Sequence, residues 1–371
     1  MTRAQLSAVI TRDGVPFAED AIPDVVLDRL ADNRVVVLGE THHLREHWDF
    51  TAGLLQELHA HGFRQLLVEQ PQMADWLLDD YVSGGLLEPD LVPPAHWRQT
   101  FVAIREFNAA LPLMDRIHVR AIDVNEEFYG GANAFRSLLE AVAGHLPTAG
   151  PVDVFLQEDY GIPENQPGAI ENLRASLETD RTALVASWGS DWYETVLAMV
   201  DVERASIDIR AHRKTDDSTA ARAREDVIKH LADARIASYA HGTVINIGGH
   251  HAQKTHLMGT EQEWLGDYLV HRSTAIDGTV MVVGFASART DLLAGAGGTP
   301  FDVLDTSPEN ELFRVMVETW PGRTVFLPLD DPVFADRGVA VNSEETIYVT
   351  PLKEQYDAVI QYGLAHRMPE G

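Results

Sequence analysis

A chain that runs Val35-Val36-Val37-Leu38-Gly39 and then turns polar at once, through Glu40-Thr41-His42-His43-Leu44-Arg45-Glu46-His47, has few places to put that run. Four apolar residues, three of them β-branched, followed by a glycine predict a buried strand that opens through a turn into a helix. The same design returns where Val244-Ile245-Asn246-Ile247 meets Gly248-Gly249 and a second histidine pair, His250-His251. In open α/β sheets ligands bind at the carboxyl ends of the strands, because the turns there present polar side chains beside a rigid sheet. The two stretches therefore predict strand ends that face one another across a cleft and share a site.

The rest of the chain fits around this frame. Trp48, Ala52, Leu55 and Leu58 recur at helical spacing up to Gly62, and Gln65-Leu66-Leu67-Val68 forms the next strand, ending on Glu69 ahead of Pro71. Strand, helix and strand at this spacing predict a right-handed βαβ unit. A helix with Phe101, Ile104, Phe107 and Leu111 on one side carries Arg105 and Asn108 beside that stripe, and Val119 to Ile122 then forms a strand ending on Asp123. Successive strands thus finish on Glu40, Glu69 and Asp123. Ahead of them the segment up to about Ala21 reads as an extended arm, followed by a short helix over Val25 to Leu30 with Pro23 in its first turn.

From Glu126 to Ala240 the pattern is helical, over Ala134 to Leu146, Ala169 to Trp188, Tyr193 to Arg213 and Ala220 to Tyr239. Strands return at Val244 to Ile247, Val280 to Val283, Thr324 to Leu327 and Ile347 to Val349. The expected architecture is α/β: a mostly parallel central sheet with flanking helices, built from residues 1–125 and 241–371, and a helical insertion over 126–240 that forms a lid beside the active-site cleft. No linker or repeat separates the halves, so they are expected to fold together.

Composition narrows the function. With 57 acidic against 29 basic residues and a net charge of -28, the chain repels a nucleic acid backbone. The absence of cysteine removes thiolate nucleophiles, disulfides and Cys-ligated zinc. No segment approaches the length of a membrane span and the start lacks an apolar signal region, so the expected location is the cytoplasm.

Two chemistries suit the residues after the first strand. His43, Glu46 and His47 spell H-x-x-E-H, a zinc-binding pattern if all three share one helix face, although no third ligand is evident and zinc stays an open alternative. The metal-free alternative needs no cofactor. A histidine partnered by a carboxylate is a general base, and Glu40 and His43 are one turn apart. His250 or His251 would then hold the oxyanion or serve the leaving group, and water would attack an ester without a serine or cysteine nucleophile. Against this stands a structural reading in which Glu40 and Glu69 bond backbone amides and Asp123 caps a helix or turn. His47, His59, His61, His230 and His271 read as helix-surface residues.

The motifs Gly39-Glu40-Thr41-His42-His43 with Arg45-Glu46, Glu69, Arg105-Glu106-Phe107-Asn108 and Ala121-Ile122-Asp123, with the late Leu352 to Ile360 segment around Tyr356-Asp357, resemble the erythromycin esterase-like family. That family belongs with the ChaN-like and related α/β proteins. The likeness covers nearly the whole chain. It implies hydrolysis of a small-molecule ester or lactone, a macrolide in some members, with His43 as base and Glu40 as its partner. Glu46, Glu69, Arg105 and Asp123 would position substrate and water. Where the family has H-N-x-H, this chain has His250-His251-Ala252-Gln253, which leaves open which of the two histidines faces the substrate. The same resemblance admits acyl transfer or cyclisation in a biosynthetic pathway, and haem or ligand binding without catalysis. The expected partner is a small molecule, with neither nucleic acid nor membrane.

Overall fold

In a computed structural model of the chain, which describes residues 2–18, 21–85, 95–255, 262–292, 311–335, 338–343 and 346–368, the run at Val35 lies inside a sheet. The strands are β1 (Val15–Phe17), β2 (Val35–Glu40), β3 (Phe63–Pro71), β4 (His118–Asp123), β5 (Gly242–Gly248), β6 (Val280–Ser287), β7 (Thr290–Leu292), β8 (Thr324–Pro328), β9 (Gly338–Ser343), β10 (Thr346–Pro351), β11 (Ala358–Tyr362) and β12 (Ala365–Arg367). Eight of them form one sheet in the order β1-β8-β11-β6-β2-β5-β3-β4. β2 runs parallel to β5 and β6, and β6 parallel to β11, whereas β8 is antiparallel to both β11 and β1. The fold is the expected α/β one with a mostly parallel central sheet.

Every residue of β2 is buried, which is why Val35 to Leu38 run continuously apolar instead of alternating. The expected order of strands needs one refinement. β5 stands between β2 and β3, so the βαβ connection passes over a strand that arrives some two hundred residues later. The strand ends at Glu40 and Gly248 consequently do not face each other across a cleft. They are paired neighbours, with Glu40 opposite Gly248 in parallel register.

The expected N-terminal arm is also corrected. Arg3–Asp13 is a helix, α1, started by a capping box in which Thr2 accepts from the Gln5 amide and Gln5 reaches back to the Thr2 amide. Leu6 and Ile10, four apart, are its buried face. The first half of the chain continues with α2 (Asp24–Ala31), α3 (Arg45–Leu58), α4 (Asp75–Val82) and α5 (Ala95–Ala109). The expected late strand Ile347 to Val349 lies within β10, which pairs with β9 in a separate hairpin.

The described residues divide into two units. One comprises Met1–Leu67, Asp80–Val119 and Asp233–Gly371; the other comprises Val68–Asp79 and Arg120–Ala232. The second holds α6 (Gly131–Ala143), α7 (Pro151–Leu156), α8 (Gln166–Thr179), α9 (Arg181–Trp188), α10 (Ser190–Arg213) and most of α11 (Asp217–Ala237). Its own core includes Phe135, Leu139, Phe155, Ile170, Leu173 and Val196. The single helix expected over Ala169 to Trp188 is two, interrupted at Asp180. The first unit is completed by α12 (Gly249–Ala252), α13 (Leu265–His271) and α14 (Glu311–Thr319), the last of which packs on α1.

Candidate active site

Glycines at neighbouring strand ends let three elements of the first unit close on one another. A Cβ at Gly39 would lie 3.0 Å from the Ala252 Cβ and 3.3 Å from the Gly249 Cα, so α12 crosses the end of β2 only because Gly39 has no side chain. On β6, a Cβ at Gly284 would meet the Tyr356 ring at 3.0 Å. Burial pushes the Tyr356 hydroxyl up to about 12, and it donates to the Gly249 carbonyl at 3.1 Å. Asp357 beside it accepts from the Val282 amide at 2.8 Å and pairs with Lys254 at 2.6 Å. Tyr356-Asp357, read from sequence as part of a closing motif, therefore ties β11, β6 and the segment after α12 together.

The turn after β2 is tightly held. His43 has a left-handed backbone, φ 63°, a conformation that costs a non-glycine residue about 1–2 kcal/mol. Its carbonyl accepts from the Met368 amide at 2.8 Å, and Leu44 forms an antiparallel bridge with Arg367. From the other side the Thr41 amide donates to His47 Nδ1 at 3.0 Å. The helix starts only at Arg45, so His43 precedes it and does not share a helix face with Glu46 and His47 as the H-x-x-E-H reading required. His47 is not at the helix surface either. It is fully buried, with ring centroids 4.5 Å from Phe285 and 5.4 Å from Tyr362, and burial lowers its pKa to about 3.

Glu40 ends β2 with its carboxylate buried. His42 Nδ1 lies 3.0 Å from Oε1, and Asn246 Nδ2 on β5 lies 3.4 Å from Oε2. The side chain of Glu40 is 2% exposed and that of His42 is 55% exposed. A buried acid thus holds an imidazole that reaches solvent. His250 and His251 sit on the single turn of α12, against Trp264 at 6.2 and 5.3 Å between ring centroids; His250 is exposed and His251 buried. Glu46 is buried at the start of α3 and binds His366 through both oxygens, Oε1 to Nδ1 at 2.5 Å and Oε2 to the His366 amide at 2.7 Å.

Glu69 and Asp123 belong to the second unit, where they share one cation. Arg224 Nη2 lies 2.6 Å from Glu69 and 2.7 Å from Asp123, and its Nε lies 2.9 Å from Asp123. Burial opposes the guanidinium charge, but the two carboxylates outweigh it and raise the Arg224 pKa. The Tyr129 hydroxyl lies 3.1 Å from Asp123 Oδ2 and 3.0 Å from the Glu69 carbonyl, two acceptors that share its one hydrogen; burial, then the carboxylates, raises its hydroxyl pKa. Arg105 is engaged differently from the expected positioning role. It donates to the carbonyls of Tyr81 and Gly85 at 2.6 and 2.9 Å and lies over the Tyr81 ring.

Sequence reasoning did not single out Asn246, His366, Arg224 or Tyr129. Asn246 left a signal, one polar residue in an apolar strand run. The other three left none, because their partners lie 6 to 320 positions away in the chain and no spacing rule links them.

No family model and no curated protein matches the chain. Solved structures do. A protein from Bacillus cereus matches over 100% of both chains with a TM-score of 0.71 and 14% identity. A succinoglycan biosynthesis protein matches over 100% of this chain and 99% of its own, with a TM-score of 0.70 and 15% identity. A mutant of the erythromycin esterase EreC in its open conformation matches over 93% of this chain and 94% of its own, with a TM-score of 0.64 and 14% identity. The chain has the erythromycin esterase-like fold, as the motif resemblance implied.

Proposed function

We propose that the chain is a hydrolase of the erythromycin esterase-like type, cleaving an ester or lactone of a small molecule in the cytoplasm by histidine-activated water. The observation that carries this reading is the Glu40–His42 pair. With Glu40 ionised its carboxylate only accepts hydrogen bonds, so His42 would donate from Nδ1 and carry its basic lone pair on Nε2, the arrangement of a general base. His43, the base implied by the motif resemblance, stands on the same clamped turn, and the two histidines together are assigned the proton-accepting side. His250 and His251 are assigned the oxyanion side. Water adds to the carbonyl carbon as its proton passes to an imidazole. The tetrahedral intermediate then releases the alcohol and leaves the acid.

A panel of small esters and lactones tests this on His42→Ala, His43→Ala and Glu40→Gln. Loss of one of the two histidines should lower kcat by about 10²–10⁴-fold with an unchanged circular dichroism spectrum. Full activity in both histidine variants would sink the assignment. A second reading, acyl transfer to an alcohol during biosynthesis, draws on the description of one structural relative as a succinoglycan biosynthesis protein. An added alcohol that appears in the product as a new ester would favour it.

A further inference from the structure

We propose that His366, held by Glu46, is the acid that protonates the departing alcohol. The inference rests on the hydrolase reading above and adds to it a group from the far end of the chain. β12 forms its bridge at Leu44, directly after His43, so residue 366 is brought beside the turn that carries the proposed base. There the Glu40–His42 arrangement is repeated. Glu46 is 3% exposed and His366 is 29% exposed, so again a buried carboxylate orients an imidazole that reaches solvent.

The geometry also bears on the tautomer. Glu46 Oε1 lies 2.5 Å from His366 Nδ1, and with Glu46 ionised that contact needs a hydrogen on Nδ1, which leaves Nε2 as the nitrogen for proton exchange in the proposed step. Arg45 lies 3.2 Å from the same Glu46 oxygen and 3.4 Å from Nδ1, and keeps that carboxylate paired. A purely structural role for the imidazole is the alternative. The clamp of β12 onto the turn, however, is already made by backbone groups: the His366 amide to Glu46, the Met368 amide to His43, and the bridge between Leu44 and Arg367. The imidazole adds one further bond, to Glu46 Oε1, to a clamp that the backbone groups already close.

In the proposed step the tetrahedral intermediate collapses, the bond from the carbonyl carbon to the alcohol oxygen breaks, and its electron pair goes to that oxygen. The oxygen takes the proton from Nε2 of the protonated His366, which becomes neutral with Nδ1–H still on Glu46. The proton that the base took from water restores the balance through solvent.

The test uses esters of one acid with alcohols of graded basicity, from p-nitrophenol to ethanol. A poorly basic leaving group needs no acid, whereas an alkoxide does. Wild-type kcat/KM should depend only weakly on leaving-group basicity. His366→Gln should lose about 10²-fold or more on the ethyl ester while the p-nitrophenyl ester stays within a few-fold. The ratio of the two esters is read in one sample, so a reduced folded fraction cancels. Equal losses on both esters, or a steep leaving-group dependence in the wild type, would overturn the proposal and leave the hydrolase reading standing. A wild-type protein that cleaves no ester would remove both.

Discussion

At the scale of single residues, His47 shapes the candidate site through its neutral form. Its Nδ1 must keep a lone pair to accept from Thr41, and burial makes the charged form costly, so its pKa falls from an ordinary value near 6.5 to about 3. The sign of the consequence follows from linkage. Above about pH 6.5 neither the folded nor the unfolded chain protonates this group, and its full contribution is present. As the pH falls from there toward 3 the unfolded chain takes up a proton that the folded chain excludes, and stability drops by about 1.4 kcal/mol per pH unit. Urea denaturation of wild type and His47→Gln at pH 6.5 and 5 should therefore differ, with the wild type losing about 2 kcal/mol more. Parallel losses would mean that His47 is not the proton-excluding group. Sequence offered His47 as a helix-surface residue or as part of the H-x-x-E-H zinc pattern; its burial depends on Phe285 and Tyr362, which the chain supplies more than two hundred positions later.

At the scale of elements, close approach decides what the histidine-bearing turn of α12 can do. Gly266 at the start of α13 packs on that turn so tightly that an added Cβ would lie 2.0 Å from the Ala252 carbonyl oxygen and 2.7 Å from that of Gln253. Both are backbone atoms, so no side chain can swing away. Gly266→Ala should cost about 1–3 kcal/mol through overpacking, visible as a lowered urea midpoint. It should also impair turnover through displacement of His250 and His251. An unchanged midpoint would show that α13 shifts freely. The strands at Val35, Leu66, Val119, Val244 and Val280 are legible because short β-branched runs bounded by glycine, proline or polar groups have few other uses. The helix α1 was hidden because two buried residues in eleven make a faint stripe, and its capping box was the one local sign of it.

At the scale of the whole molecule, charge is the dominant global property. A formal charge of -28 implies repulsion that exceeds the gain from exposed ion pairs, so salt should stabilise the protein by screening. Melting in 20 mM and in 500 mM sodium chloride tests this; a midpoint that falls with salt would place the ion pairs ahead of the repulsion. No helix among the described residues is long and apolar enough to cross a membrane. The α/β class, the continuous burial of β2 and the placing of Glu40 and two histidine pairs after glycine-terminated strands were determined by the sequence itself. Apolar run length, β-branching and glycine act locally and leave a local trace. Tertiary structure alone decided that β5 enters between β2 and β3, that His42 and Asn246 meet Glu40, that His366 meets Glu46, and that Arg224 joins Glu69 to Asp123. Those contacts come from strand order and from side chains distant in the chain. Nothing in the spacing of residues encodes them, because the free energy that selects them is gained only when the sheet is assembled.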